Sequence, residues 1–326
     1  MGEIDLKDRK ILFELDLDCR QSDSEIARKV RLSRDSVRYR IRRLQEEGYI
    51  NYFMIILNSM KLGFQWYRTF FKFQNLSLEK EQEIIGWLKG RASWITKVEG
   101  RWDLNTGIFC RNVYEYRDII GEFLGRYSAH VARYDVAIVT REWTYHKDYL
   151  LGKKQKTSTP ILMGYSPGEE YTTEQLDKTD YRLLEALLKD GRAKTVDLAR
   201  RLGTTEMVVR YRMKKLVERG IIIGFVPFLD VRRLGYRYFK LHVTLQNATS
   251  ERKRALLERI HAHPATVHMT ELVGGADLEC EFQVKGNEEF YGHVEELRKQ
   301  FGDMIRDYEF LEYVKEYKFT YLPEMY

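Results

Sequence analysis

The strongest constraint on this chain is that its second half repeats its first. At the single offset that carries Asp5 onto Asp177, the residues Asp180, Leu184, Ala199, Arg200, Val209, Arg210, Tyr211, Arg212, Leu216, Gly220, Leu234 and Gly235 repeat Asp8, Leu12, Ala27, Arg28, Val37, Arg38, Tyr39, Arg40, Leu44, Gly48, Leu62 and Gly63 without a gap. Further on, Gly274 and Asp277 repeat Gly100 and Asp103 after an insertion of two residues. Whatever fold the first half adopts, the second adopts too, and the chain is a tandem duplication of one two-domain unit.

Within the first unit, positive charge is concentrated in Arg28 to Arg43, where eight basic side chains face one acid, Asp35, although the whole chain carries only +6. Val37, Ile41 and Leu44 recur at helical spacing, so a helix after Ser33 has one apolar stripe and an opposite stripe of Arg34, Arg38 and Arg42. Ser33 suits the N-cap and Gly48 the stop. Ile26, Ala27 and Val30 give a shorter amphipathic helix just before. Two helices joined by a tight turn, the second basic, spell helix-turn-helix, whose second helix enters the DNA major groove. The plainer alternative is a solvated basic face, and the short turn argues against it.

The remainder of the unit alternates. Asp5 opens a first helix with Ile11, Leu12 and Leu15 inward, and Tyr49 to Leu57 reads as an extended wing or linker strand. Trp66 to Gln74 is strand-like, Leu78 to Lys89 helical, Ile95 to Glu99 and Leu104 to Cys110 strand-like, Tyr116 to Leu124 helical, and Val131 to Tyr145 a long strand. The order βαββαβ predicts a ferredoxin-like sandwich. Residues 152–170, polar and rich in Lys, Ser and Pro, read as a linker. The expected fold class is α+β, with winged helix-turn-helix domains at 1–60 and 172–232. βαββαβ domains follow at 61–150 and 233–326, and the linker spans 151–171.

Composition narrows the function classes. No run approaches the roughly 18 apolar residues of a membrane span, and the start is no signal peptide, so a soluble cytoplasmic protein is expected. Three widely spaced cysteines, Cys19, Cys110 and Cys280, suit neither a disulfide framework nor a Cys-x-x-Cys metal site. His261, His263 and His268 do not match a metal signature, so no metal and no cofactor is expected.

Asp5 to Leu12, Val37-Arg38-Tyr39-Arg40-Ile41-Arg42-Arg43-Leu44, Glu47-Gly48-Tyr49-Ile50, Leu62-Gly63 and the later Gly-x-x-Asp resemble the Lrp/AsnC (feast/famine) family of prokaryotic transcription regulators. Leu198 to Gly203, Leu216 to Ile222 and Leu234-Gly235 carry the resemblance through the second unit. It implies double-stranded DNA as partner, and an amino acid or similar small-molecule effector between paired RAM-type βαββαβ domains. It also implies dimers, so that one duplicated chain is expected to be its own pseudo-dimer, its βαββαβ units packed sheet to sheet, and open to further self-association.

The DNA-facing candidates are Ser33, Arg34, Asp35, Ser36, Arg38, Tyr39 and Arg42 on the first helix and Thr205, Glu206, Met207, Arg210, Tyr211 and Lys214 on the second. Arg43 and Lys215, with Lys29 and Arg201, suit phosphates. Arg40 and Arg212 lie nearer the apolar stripe, where an acid of the same domain competes for them. The effector candidates are Gly100, Asp103, Gly274, Gly275 and Asp277, with aspartates that cap their own turns as the plainer reading. Arg101-Trp102 is expected to crowd the first turn and leave the second open. Arg31 stands where the second copy has Gly203, a turn that suits glycine. Siroheme decarboxylases, which resemble Lrp-type proteins in fold and occur as tandem chains, supply an enzymatic alternative. A protein-interaction module that has lost DNA binding is a third.

Overall fold

A computed structural model describes residues 4–322. Three helices, α1 (Leu6–Leu17), α2 (Asp23–Val30) and α3 (Arg34–Glu46), open the chain, followed by β1 (Ile50–Leu57). The elements β2 (Gln65–Phe73), α4 (Leu78–Lys89), β3 (Trp94–Gly100), β4 (Leu104–Cys110), α5 (Val113–Tyr127) and β5 (Val131–Thr144) then form the first βαββαβ unit. After β6 (Ile161–Gly164) the pattern restarts with α6 (Lys178–Lys189), α7 (Thr195–Leu202), α8 (Glu206–Glu218) and β7 (Ile222–Leu229). The second βαββαβ unit comprises β8 (Arg237–Leu245), α9 (Ser250–His261), β9 (Thr266–Val273), β10 (Leu278–Val284), α10 (Asn287–Phe301) and β11 (Ile305–Phe319).

Local chemistry sets the helix starts. Asp5 and Asp8 close a capping box at α1, and Asp177 and Asp180 repeat it at α6. The α2–α3 turn places Arg31 in the left-handed region at φ 56°, where the second copy has Gly203 at 67°. A side chain there costs on the order of 1 kcal/mol, and the first copy carries that strain.

Each unit has the strand order of a ferredoxin-like sheet, β3-β4-β2-β5 and β9-β10-β8-β11. The halves were expected to meet by packing sheet on sheet, but the sheets also join edge to edge at two related seams, β3 with β11 and β5 with β9. Because β2 pairs with β5, the ring closes into a barrel. Closure pairs both edges of the eight ring strands and removes unpaired backbone groups, with β6 extending past the ring beside β5. Gly100 and Gly274 lie at these seams, each at positive φ. A Cβ on Gly100 would meet the Phe310 carbonyl at 2.8 Å, and one on Gly274 the Val136 carbonyl at 2.8 Å. These glycines let the two halves touch.

Two other departures from the sequence reading concern connections. β1, read as a wing or linker strand, packs Ile50 and Phe53 on its own helices and also pairs with β7 of the other half as an antiparallel ribbon. The 151–171 segment, read as a linker, contains β6, which pairs with β5 beyond the end of β2. The run Ile161-Leu162-Met163 supplies apolar residues for that place, and Asn58 pins it by hydrogen bonds in both directions with Gly164.

Outside the barrel, helices cover apolar faces. α4 and α5 seat Ile84, Leu88 and Phe123 on Tyr67 and Phe71; α9 and α10 seat Leu256, Phe290 and Phe301 on Phe239 and Leu241. Inside, the barrel is unusually polar. Arg68 is 2% exposed and pairs with Glu142 and Glu279, while the fully buried Lys240 lies 2.6 Å from Glu279 and 3.1 Å from Glu281. All three cysteines are buried free thiols. Among the described residues no helix is long and apolar enough to cross a membrane.

Candidate nucleic-acid interface

In α3 the apolar stripe Val37, Ile41 and Leu44 is buried against α1 and α2, which leaves the opposite stripe in solvent. Ser33 caps the helix by accepting the Ser36 N–H at 3.2 Å, and Thr205 caps α8 by accepting that of Val208 at 3.3 Å. Arg34, Asp35, Arg38, Tyr39 and Arg42 are exposed on α3, with Ser36 half-buried; Met207, Arg210, Tyr211, Lys214 and Lys215 are exposed on α8, with Glu206 half-buried. Tyr39, Tyr211 and Met207 are 65%, 61% and 77% exposed, large apolar surfaces kept in water on the two basic faces. Such surfaces suit contact with base edges and sugars.

The ion pairs sort the arginines. Arg40 donates to Asp5 at 2.9 Å and to the buried Asp8 at 2.7 Å, and Arg212 repeats this with Asp177 and Asp180 at 2.7 and 2.8 Å. Both therefore staple the recognition helix to the start of the first helix. Arg43, expected on a phosphate, also reaches Asp8, at 2.5 Å. Asp8, 1% exposed, is thus shared by Arg40 and Arg43, and a phosphate would have to compete with it for Arg43. Lys29, the other phosphate candidate of this half, lies 2.8 Å from Glu14 but remains 41% exposed. Arg38 meets Asp23 at 3.2 Å, whereas Arg210 meets Glu206, on its own helix, at 3.1 Å. Lys215 pairs with Glu218 at 2.9 Å in solvent.

The two helix-turn-helix units are tied together. The Cys19 N–H donates to the Phe225 carbonyl and, at the related position, Gly191 N–H to that of Phe53. Arg20 donates to the Gly191 and Ala193 carbonyls, and Arg192 to that of Cys19 and to Asp23. Asp23 therefore holds a recognition arginine and an arginine of the other unit at once. Sequence reasoning missed this contact, because the repeat places Thr195 at the matching position.

The effector candidates behave differently. Asp103 accepts the Phe73 N–H at 2.8 Å and the Lys72 ammonium at 2.7 Å; Asp277 accepts the Leu245 N–H at 2.7 Å. Each carboxylate thus already holds the end of its unit's first strand. Gly275, at φ 66°, turns beside Ala137. Trp102 does not crowd the first turn, because its ring points inward and its indole N–H donates to Glu309 at 3.0 Å. A cavity of about 450 Å³ lies beside that turn, lined by Lys72, Leu76, Lys97, Gly100 and Asp103 among others.

Two helix-turn-helix units on a barrel of paired βαββαβ sheets define a duplicated winged-helix architecture. The family model for winged helix-turn-helix DNA-binding domains matches residues 4–51 and again 176–223. The Bkd operon transcriptional regulator of Pseudomonas aeruginosa is 31% identical over 34% of this chain and 73% of its own length. The regulator LrpA of Pyrococcus horikoshii is 41% identical over 19% of this chain and 43% of its own. The chain spans about half the length of the first of its curated relatives. The chain belongs to the Lrp/AsnC family of transcriptional regulators, as a tandem duplicate. Its whole length is similar in fold to the siroheme decarboxylase NirDL, at TM-score 0.63 and 17% identity, covering 96% of this chain and 92% of that one.

Proposed function

We propose that this chain binds double-stranded DNA as a transcriptional regulator, presenting α3 and α8 from one polypeptide that acts as its own pseudo-dimer. The observation that carries the reading is the pair of exposed basic stripes, Arg34, Arg38 and Arg42 on one side and Arg210 and Lys214 on the other. Arg34 and Arg38 suit guanine edges; Arg42 and Lys214 suit phosphates. A gel shift against random-sequence duplex DNA tests it. Binding that weakens with salt, and whose salt slope falls by about one unit in Arg42→Ala, supports the reading. No shift at low salt would remove it.

The place of work that follows is the cytoplasm, and a small-molecule effector is part of the same reading. The Gly-x-x-Asp turns are poor seats for it, because both carboxylates accept backbone N–H groups.

The full-length likeness to a siroheme decarboxylase favours a second, enzymatic reading. The barrel interior weighs against it. It holds Glu142, Glu279 and Glu281 in ion pairs with Arg68 and Lys240, so these buried cations are already taken and are not free for the carboxylates of a tetrapyrrole. Incubation with siroheme decides: unchanged absorbance of the pigment supports the regulator, and a pigmented protein with carbon dioxide release supports the enzyme.

A further inference from the structure

Beneath the β1–β7 ribbon the barrel opens into a cavity of about 350 Å³, the scale of a small-ligand site. One end of it is aromatic. The Trp94 and Tyr313 rings lie 6.1 Å apart, Phe228 and Phe319 6.3 Å, and Tyr52 stacks on Phe228 at 4.7 Å.

Glu316 faces this space. It is the duplicate of Glu142: Glu142 pairs across its seam with Thr270 as Glu316 does with Thr96. Glu142 has Arg68 as counter-ion. The duplicate of Arg68 is Lys240, which has turned to Glu279 and Glu281 instead. Those two acids stand where the first half has Asn105 and Gly107, so the second half gained the carboxylates that draw its lysine away. Glu316 is left exposed in the cavity with no ion pair among the described residues. Other cations lining the cavity are engaged: Arg68 as above, Lys147 with Asp16 at 2.5 Å, Arg232 with the Tyr313 carbonyl at 2.8 Å, and Lys315 over the Tyr317 ring.

Aromatic rings beside a carboxylate that has no ion pair are the arrangement by which ring faces and a carboxylate together hold a quaternary or primary ammonium group.

We propose that this cavity is a ligand site for an organic ammonium ion, with the nitrogen against Glu316 and the apolar body against Trp94, Tyr313, Phe228 and Phe319. Phe228 lies on β7, the strand that leaves α8, so the ligand would touch the segment that carries a recognition helix. If the chain is a regulator, this ligand is its effector. Calorimetry without DNA tests the site by itself, so its failure and the failure of DNA binding are separate results.

The test is isothermal titration calorimetry of the full chain with choline, with phenethylamine, and with 3,3-dimethylbutan-1-ol, the uncharged isostere of choline. The expected result is saturable binding of at least one of the two cations, about tenfold or more tighter than the isostere. Glu316→Gln, nearly isosteric, should weaken that cation by about tenfold or more while its melting temperature without ligand stays close to that of the parent. The proposal is overturned if neither cation saturates, if the isostere binds as well as choline, or if Glu316→Gln leaves affinity unchanged.

Discussion

The two sheets of the barrel trace the same strands but turn different chemistry inward. The first places Trp66 over Gly107, so close that a Cβ there would lie 2.3 Å from the indole nitrogen. The second has Tyr238 and Glu281 at these positions, and the tyrosine hydroxyl donates to the carboxylate. A homodimer would carry each choice twice. A duplicated chain divides them, so that Arg68 of one half neutralises Glu279 of the other. The recognition helices have diverged in the same way, with Arg34 and Asp35 in one first turn against Glu206 and Met207 in the other. Duplication has kept the fold and released the paired positions from identity.

The largest effect should come from breaking the shared interior. Arg68→Met leaves Glu142 and Glu279 buried without their arginine, and a loss of about 3–5 kcal/mol is expected by urea unfolding. A loss under about 1 kcal/mol would mean that the halves do not depend on this pairing.

The next contrast exists in one half alone. Asp16 is 1% exposed and is held by Lys147 and His146, whereas the repeat has Leu188 in its place. Burial raises its carboxyl pKa, but the Lys147 ammonium and the His146 ring beside it outweigh this and hold it at about 2, below its ordinary 3.8. A depressed carboxylate stabilises fully above the unfolded value and loses that contribution as pH falls through the folded one. The difference between the parent and Asp16→Asn should therefore be about 2 kcal/mol at pH 7 and shrink towards zero near pH 2. A difference independent of pH would contradict the ion pairing.

Much of this was legible in the sequence. The repeat, the helix starts at Asp5, Ser33 and Asp177, and the βαββαβ order rest on local signals, namely capping residues and periodicity. What joins the halves was not. The seams, the β1–β7 ribbon and β6 depend on which strand edges meet, and Ile161-Leu162-Met163 is too short an apolar run to announce a strand. Arg43 looked like Arg42 because charge at a helical position does not reveal that Asp8 lies within reach. Arg68 sat in an aromatic run with both faces buried, where alternation carries no signal.

The smallest effect sharpens the turn comparison. Arg31→Gly should stabilise the chain by about 1 kcal/mol or less, since Arg31 carries the left-handed conformation that Gly203 accepts freely. Gly203→Ala, whose new methyl would meet open space, should destabilise by about as much through backbone conformation alone. Thermal melts of the two variants check the opposite signs.

The central claim is that one chain presents two unlike recognition helices to one DNA site. Selection of bound duplexes from a random pool, with parent and Arg34→Ala run side by side, tests it most directly. Arg favours guanine, whereas Glu206 can accept from cytosine and repels a close phosphate. The account predicts a site with two unlike half-sites, of which Arg34→Ala relaxes one by about 1–3 kcal/mol and leaves the other unchanged. A perfect palindrome, relaxed equally in both halves by Arg34→Ala, would contradict it.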